Sequence, residues 1–123
     1  MKPALLLLIL TSVGMSACAQ LMLKTGVASG GADPAASPTS SLVAFLTSPY
    51  VVGGLALYGL GAVVWLFVLA RLPLTAAYPF VGLGFIMTML LGMVALGEVV
   101  SSVRIVGTLM IACGCVLVAR SVV

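Results

Sequence analysis

Long apolar stretches separated by short polar breaks dominate the pattern of this chain. Four of them approach the length of about 20 residues with which an α-helix crosses a bilayer core of about 30 Å. The last apolar run, Ile105 to Ala119, becomes long enough if Arg104 and Arg120 reach opposite interfaces and residues 99–103 add a turn. The pattern therefore predicts an all-α membrane protein, a bundle of four transmembrane helices over about residues 3–24, 50–70, 74–96 and 101–119.

The connections between these stretches differ in length. Residues 25–49 are rich in Gly, Ala, Ser and Pro, which predicts a long and mostly irregular loop. Residues 41–46 could form a short helix at the membrane interface within it. The other two connections, residues 71–73 and 97–102, are tight. Because the chain has no internal repeat, residues 1–123 are predicted to form one membrane domain.

Composition excludes a soluble protein and most enzymes. Of the 123 residues 63% are hydrophobic and 6% are charged, against about 25% charged in soluble domains. The chain has no histidine, and its two carboxylates, Asp33 and Glu98, lie far apart in the sequence. A histidine-based triad, a zinc site or a carboxylate dyad is therefore not expected. We predict no catalytic residue, no metal and no cofactor, and we expect the three cysteines to be buried thiols.

The cations are isolated, so they predict topology rather than binding to nucleic acid. With the N-terminus in the cytoplasm, Lys2, Arg71 and Arg120 are cytoplasmic, whereas Lys24 and Arg104 lie outside. The positive-inside rule therefore favours both termini in the cytoplasm.

The first apolar stretch has a second interpretation. Residues 15–18 also resemble the cleavage site of a bacterial lipoprotein signal, with acylation at Cys18. The apolar run continues past Cys18 to Lys24, however, so cleavage would discard most of a full-length span. A retained transmembrane helix is the favoured interpretation.

One polar stripe follows the first predicted helix. Ser12, Ser16, Gln20 and Lys24 recur every four residues, so on a helix they lie on one face that ends in a cation. Such a stripe should face protein or water rather than lipid. The two serines could equally serve only to hydrogen-bond neighbouring helices. The amide and the ammonium suit a phosphate group at the membrane interface.

Glycines in the fourth predicted helix indicate association. Gly107 and Gly114 lie seven residues apart on one face, where they would let another helix approach closely. Packing within the chain is the alternative. A single four-helix chain encloses little room, so a site for a sizeable substrate implies a dimer of identical or paralogous chains.

A proline interrupts the third predicted helix near its start. Pro79 removes a helical hydrogen bond and is expected to act as a hinge, with Gly82 and Gly84 following it. Tyr78 beside it either anchors the helix at the interface or contributes to substrate binding.

Several of these segments together resemble a known family. Residues 65–69, Pro73 and Ala77-Tyr78-Pro79 are similar to the aminoarabinose-phosphoundecaprenol flippase subunits of the small multidrug resistance superfamily. Gln20-Leu21 with Lys24, Gly97-Glu98 and the seven-residue spacing of Gly107 and Gly114 fit the same family. The resemblance covers all four helices but not the long first loop.

The resemblance also separates two branches of the superfamily. Its drug exporters carry a glutamate in the first helix, where this chain has Ser16. Their Ala-Tyr-Ala segment is followed by a tryptophan, whereas this chain has Ala77-Tyr78-Pro79-Phe80. A site for cationic drugs without an anion in the membrane is electrostatically implausible.

The resemblance therefore implies a flippase of the bacterial inner membrane that moves a polyprenyl-phosphate-linked sugar between leaflets. Lys24 and Arg104 would attract the phosphate, with Gln20, Ser16 and Ser12 continuing the path. Glu98 is expected either to pair with Arg104 or to contact the sugar. A small multidrug-type exporter and a non-transporting assembly subunit of a membrane glycosyltransferase are the alternatives.

Overall fold

A computed structural model describes residues 2–29 and 37–122 of the chain, and helices make up almost all of this part. These two ranges contain six α-helices and one turn of 3-10 helix. In order they are α1 (Pro3–Ser29), α2 (Pro38–Thr47), α3 (Pro49–Leu69), α4 (Leu74–Ala77), the 3-10 turn (Tyr78–Val81), α5 (Gly82–Ala95) and α6 (Ser102–Val122).

Four helical segments of the described chain are long and apolar enough to cross a membrane, as the sequence pattern predicts. They are α1, α3, the continuous segment Leu74–Ala95 and α6, with mean hydropathy between 1.8 and 2.2. The segment Leu74–Ala95 comprises α4, the 3-10 turn and α5. For the described residues, the prediction of an all-α fold with four helices long and apolar enough to span a membrane is confirmed.

The first connection differs from the predicted loop of residues 25–49. Helix α1 continues to Ser29 and so has 27 residues. It continues because Gly26 lets its backbone pack against Val51 of α3, which is buried. Residues 38–47 are also helical, in a longer segment than the predicted 41–46. Ser37 caps α2 by accepting a hydrogen bond from the Ser40 N–H, and a proline at the first helical position favours this start.

The predicted irregular loop is therefore wrong for residues 25–29, 38–40 and 47, whereas the short helix predicted for residues 41–46 is found within α2. The central residues of the loop, 30–36, lie outside the described part. The other ends of the four long helices differ from the predicted bounds by at most three residues.

Helix α1 is the centre of the packing. It packs along α3 on one side and against α5 on another, whereas contact between α3 and α5 is slight. Helix α6 packs mainly on α5 and the 3-10 turn, so most of its surface is open. The buried core lies toward the Pro3 end of α1, where side chains from α1, α3 and the third span meet: Leu5, Ile9, Val13, Val68, Ala77 and Phe80.

The cysteines are not all buried, contrary to the expectation from composition. Cys115 is buried, but Cys18 and Cys113 are exposed, and all three are free thiols. The exposed pair lies on apolar helix surfaces that this single chain leaves uncovered. An apolar sequence context therefore does not distinguish a core position from a lipid-facing one in this protein.

Candidate functional site

A groove of about 620 Å³ lies between α3 and the third span, with α1 as its floor. It exists because α3 and α5 each pack on α1 and contact each other little. Glycines permit this arrangement at the floor: a Cβ on Gly61 of α3 would lie 3.3 Å from Met15 Cβ, and one on Gly54 would lie 3.1 Å from the Ala19 carbonyl oxygen. Close packing on α1 thus leaves the space above it open.

The polar stripe of α1 lies along this groove. All four of its side chains line the cavity, and so do Tyr78 and Glu98. Three other residues singled out from the sequence, Arg104, Gly107 and Gly114, are not among the lining residues. The structure therefore brings together six of the seven predicted binding residues and leaves Arg104 outside: Ser12, Ser16, Gln20, Lys24, Tyr78 and Glu98.

Charged side chains occupy one end of the groove. Lys24 and Glu98 both line it, and both are exposed. Glu98 reaches this position because Gly97, with φ of 66°, turns the chain back at the end of α5. The Glu98 N–H then donates to the Gly92 carbonyl at 3.1 Å.

The carboxylate of Glu98 lies over Gly92. Its Oε2 atom would be 2.7 Å from a Cβ at that position, so only glycine leaves room for it. Arg104 lies in the first turn of α6, where its backbone N–H donates to Ser101 Oγ at 3.3 Å. The two roles predicted for Glu98, pairing with Arg104 and contact with a sugar, both stay predictions.

Two hydroxyl groups that line the groove already donate their protons to backbone carbonyl groups. Ser12, which is buried, donates to the Gly61 carbonyl at 2.8 Å and so joins α1 to α3. Thr88 donates to the Gly84 carbonyl of its own helix at 2.8 Å. The hydrogen bond to a neighbouring helix, which was one of the two roles predicted for Ser12, is therefore observed. The Ser12 and Thr88 hydroxyl oxygens keep lone pairs with which they can accept hydrogen bonds.

Aromatic residues make up much of the remaining wall. Tyr58 and Trp65 of α3 lie seven residues apart, and Phe85 of α5 lines the groove as well. Neither these three residues nor Thr88 was predicted from the sequence to belong to the site. For α3 the sequence does contain a usable pattern, because Tyr58, Gly61 and Trp65 have the i, i+3, i+7 spacing that places them on one helix face.

The third span is interrupted where Pro79 was expected to act as a hinge. Helix α4 ends at Ala77, and the 3-10 turn Tyr78–Val81 precedes α5. The Cys115 thiol of α6 donates to the Pro79 carbonyl at 2.7 Å. Gly82 makes this contact possible, since a Cβ there would lie 2.6 Å from the same sulfur. The interruption is observed, and motion about it stays a prediction.

The glycines of α6 face open space within one chain. A Cβ on Gly107 or on Gly114 would meet no atom within 4 Å. Packing within the chain, the alternative for this pair, does not occur among the described residues. Dimerisation through this face stays a prediction.

Comparison of the chain with protein-family models, with curated proteins and with solved structures gives no match. The resemblance to the small multidrug resistance superfamily therefore rests on the residues quoted above.

Proposed function

We propose that this protein is a transporter that moves a polyprenyl-phosphate-linked sugar across the bacterial inner membrane, working as a dimer with both termini in the cytoplasm. The observation that carries the proposal is the groove, where the polar stripe of α1, which ends in the Lys24 cation, meets an acid and aromatic rings. Around it the helices expose mainly apolar side chains. The protein would thus shelter a polar headgroup while the lipid tail stays in the bilayer.

Translocation of such a lipid requires no chemical reaction; it requires shelter for the polar groups of the lipid. A phosphate and a sugar are too polar to cross hydrocarbon unaided, because each polar group left without a partner costs several kcal/mol, roughly 2–7 on transfer scales. The groove offers partners along its length, from Lys24 at one end to the Ser12 hydroxyl at the other. Because α3 and α5 touch little, the groove is also open at the side, where a lipid tail can remain in the membrane.

The proposal is tested by transport into sealed vesicles. The purified protein is reconstituted, and uptake is measured for a radiolabelled hexose linked through a phosphodiester to a short isoprenoid chain. Wild-type vesicles should accumulate the label faster than protein-free vesicles.

Two variants of α3 show whether the groove is the route. Ala62→Trp places a large side chain inside the groove, and Leu66→Trp places the same side chain at an exposed position outside it. Uptake should be lost in the first variant and kept in the second. Equal uptake by both variants would exclude the groove as the route.

The alternatives give different results in the same vesicles. Proton-driven efflux of a quaternary ammonium compound, without uptake of the labelled lipid, would indicate a small multidrug-type exporter. Binding of the lipid without uptake would indicate an assembly subunit of a glycosyltransferase.

A further inference from the structure

We infer that the groove holds the two polar parts of such a lipid in a fixed order, with the phosphate at the Lys24 end and the sugar ring against Trp65 and Thr88. This inference rests on the proposed function. It assigns binding roles to two residues, Trp65 and Thr88, that were not among the binding residues predicted from the sequence.

The order follows from which atoms can donate hydrogen bonds. At the charged end, the Lys24 ammonium and the Gln20 amide are donors that line the groove and lie exposed. A phosphodiester carries a negative charge and only acceptor oxygens, so it fits these donors.

Two fixed polar atoms deeper in the groove are acceptors. Because Ser12 and Thr88 donate their protons to backbone carbonyls at 2.8 Å, their hydroxyl oxygens present only lone pairs to a ligand. At these two oxygens a phosphate would meet an acceptor, whereas a sugar hydroxyl can donate to them. These two atoms therefore favour a group that bears hydroxyls over a phosphate.

Aromatic rings complete the deeper part. Trp65 is half-buried on α3 and faces the space that Phe85 lines from α5. Aromatic rings offer a flat apolar surface to the C–H face of a sugar ring, next to acceptors for its hydroxyls. An isoprenoid tail needs no such acceptors and is accommodated by the bilayer.

The dimensions agree with this order. Ser16 lies eight residues before Lys24 on α1, which corresponds to about 12 Å along the helix axis. That distance accommodates a phosphate and a sugar ring end to end. The Glu98 carboxylate is an acceptor at the charged end, so it offers the one competing place for the sugar.

The experiment compares two lipids of equal charge. One is the polyprenyl phosphodiester of a neutral hexose, and the other is the methyl phosphodiester of the same polyprenol. Dissociation constants for both are measured with the purified full-length protein in nanodiscs. Trp65→Leu and Thr88→Val should each weaken binding of the sugar lipid about fivefold, as loss of roughly 1 kcal/mol would, and leave the methyl lipid unchanged.

Matched variants control for structural damage. Phe67→Leu removes an aromatic ring from an exposed position of α3 outside the groove. Thr11→Val removes a hydroxyl that bonds its own helix at 2.7 Å on α1, again outside the groove. Neither should change the affinity for either lipid.

The outcomes separate this inference from the proposed function. If Trp65→Leu and Thr88→Val weaken both lipids equally or neither, the sugar does not lie where we place it. If Glu98→Gln is the only variant that weakens binding of the sugar lipid more than binding of the methyl lipid, the sugar lies at the charged end and the proposed order is overturned. If the wild type binds neither lipid, the proposed function itself fails.

Discussion

Packing of α1 on α3 through Gly26 predicts a measurable strain on substitution. A Cβ at this position would lie 2.7 Å from Val51 Cγ2, 2.9 Å from the Val51 backbone nitrogen and 3.0 Å from Tyr50 Cβ. The backbone atom cannot rotate away as a side chain can. Gly26→Ala therefore requires α1 and α3 to separate locally by about 0.5 Å or more to restore an ordinary contact of about 3.4 Å, and overpacking of this kind costs about 1–3 kcal/mol.

A matched variant isolates that cost. Gly14→Ala is on the same helix, where its Cβ would make an ordinary contact of 3.5 Å with the end of the Met87 side chain. Both substitutions replace glycine within a helix and gain about 1 kcal/mol of helix propensity. Because this gain is shared, the difference in the free energy of unfolding between the two variants should equal the strain, about 1–3 kcal/mol.

The measurement is unfolding in mixed detergent micelles, followed by the fluorescence of the single tryptophan. Gly26→Ala should unfold at a lower fraction of denaturing detergent than the wild type, and Gly14→Ala at an equal or higher one. Lys24 lies two residues from the strained contact, so uptake of the labelled lipid should also fall in Gly26→Ala. If the two variants unfold together, α1 and α3 do not pack at this point in a membrane-like environment, and the extension of α1 beyond Lys24 needs another explanation.

Three further predictions concern the ends of the groove and the surface of α6. Lys24→Met should weaken binding of the polyprenyl phosphodiester by about 1.5–3 kcal/mol, because a hydrogen bond to a charged group is lost. Lys24→Arg should retain most of the binding free energy. Equal affinity of the wild type and both variants would make Lys24 an interfacial anchor only. Gly92→Ala should displace the Glu98 carboxylate with little loss of stability, because the crowded atom is the end of a flexible side chain. Unfolding of Gly92→Ala and Glu98→Ala, alone and combined, should show coupling between the two positions, and strictly additive effects would refute the contact. Replacing both Gly107 and Gly114 with leucine should shift cross-linked protein from dimer to monomer, and an unchanged dimer fraction would place the interface elsewhere.

The sequence was sufficient for the four long helices because the rule that governs them is simple. A helix must satisfy its own backbone in lipid, so about 20 apolar residues in a row leave few alternatives. The stripe on α1 was equally predictable, since a spacing of four residues fixes one helix face. Its four side chains do line one cavity.

What the sequence could not supply was the arrangement between helices. Gly26 and residues 38–40 were assigned to an irregular loop from their composition, but Gly26 packs on Val51, and α2 begins at Pro38 after the Ser37 cap. Glycine is a loop signal only where nothing packs against its missing side chain.

The other walls of the site depended on contacts distant in the sequence. Trp65 entered the prediction only as part of the segment 65–69 that resembles a known family. Nothing in the neighbouring sequence indicates that its side of α3 faces α5 across a groove. Arg104 was grouped with Lys24 because both were predicted on the same side of the membrane. Two residues on the same side of a membrane need not line the same groove. Arg104 lies in the first turn of α6, and none of the cavity-lining residues belongs to that helix.

The peripheral position of α6 has a consequence for how the chain assembles during synthesis. Extensive contact between α1 and α3 involves only the first 69 residues, so this pair can pack before the rest of the chain has been made. The third span then completes the groove, and α6, which emerges after it, contacts chiefly the span made just before it. A chain stopped before Ser102 would therefore already contain every residue that lines the cavity, and synthesis of α6 would add an outer surface beside a groove whose lining residues have all been made.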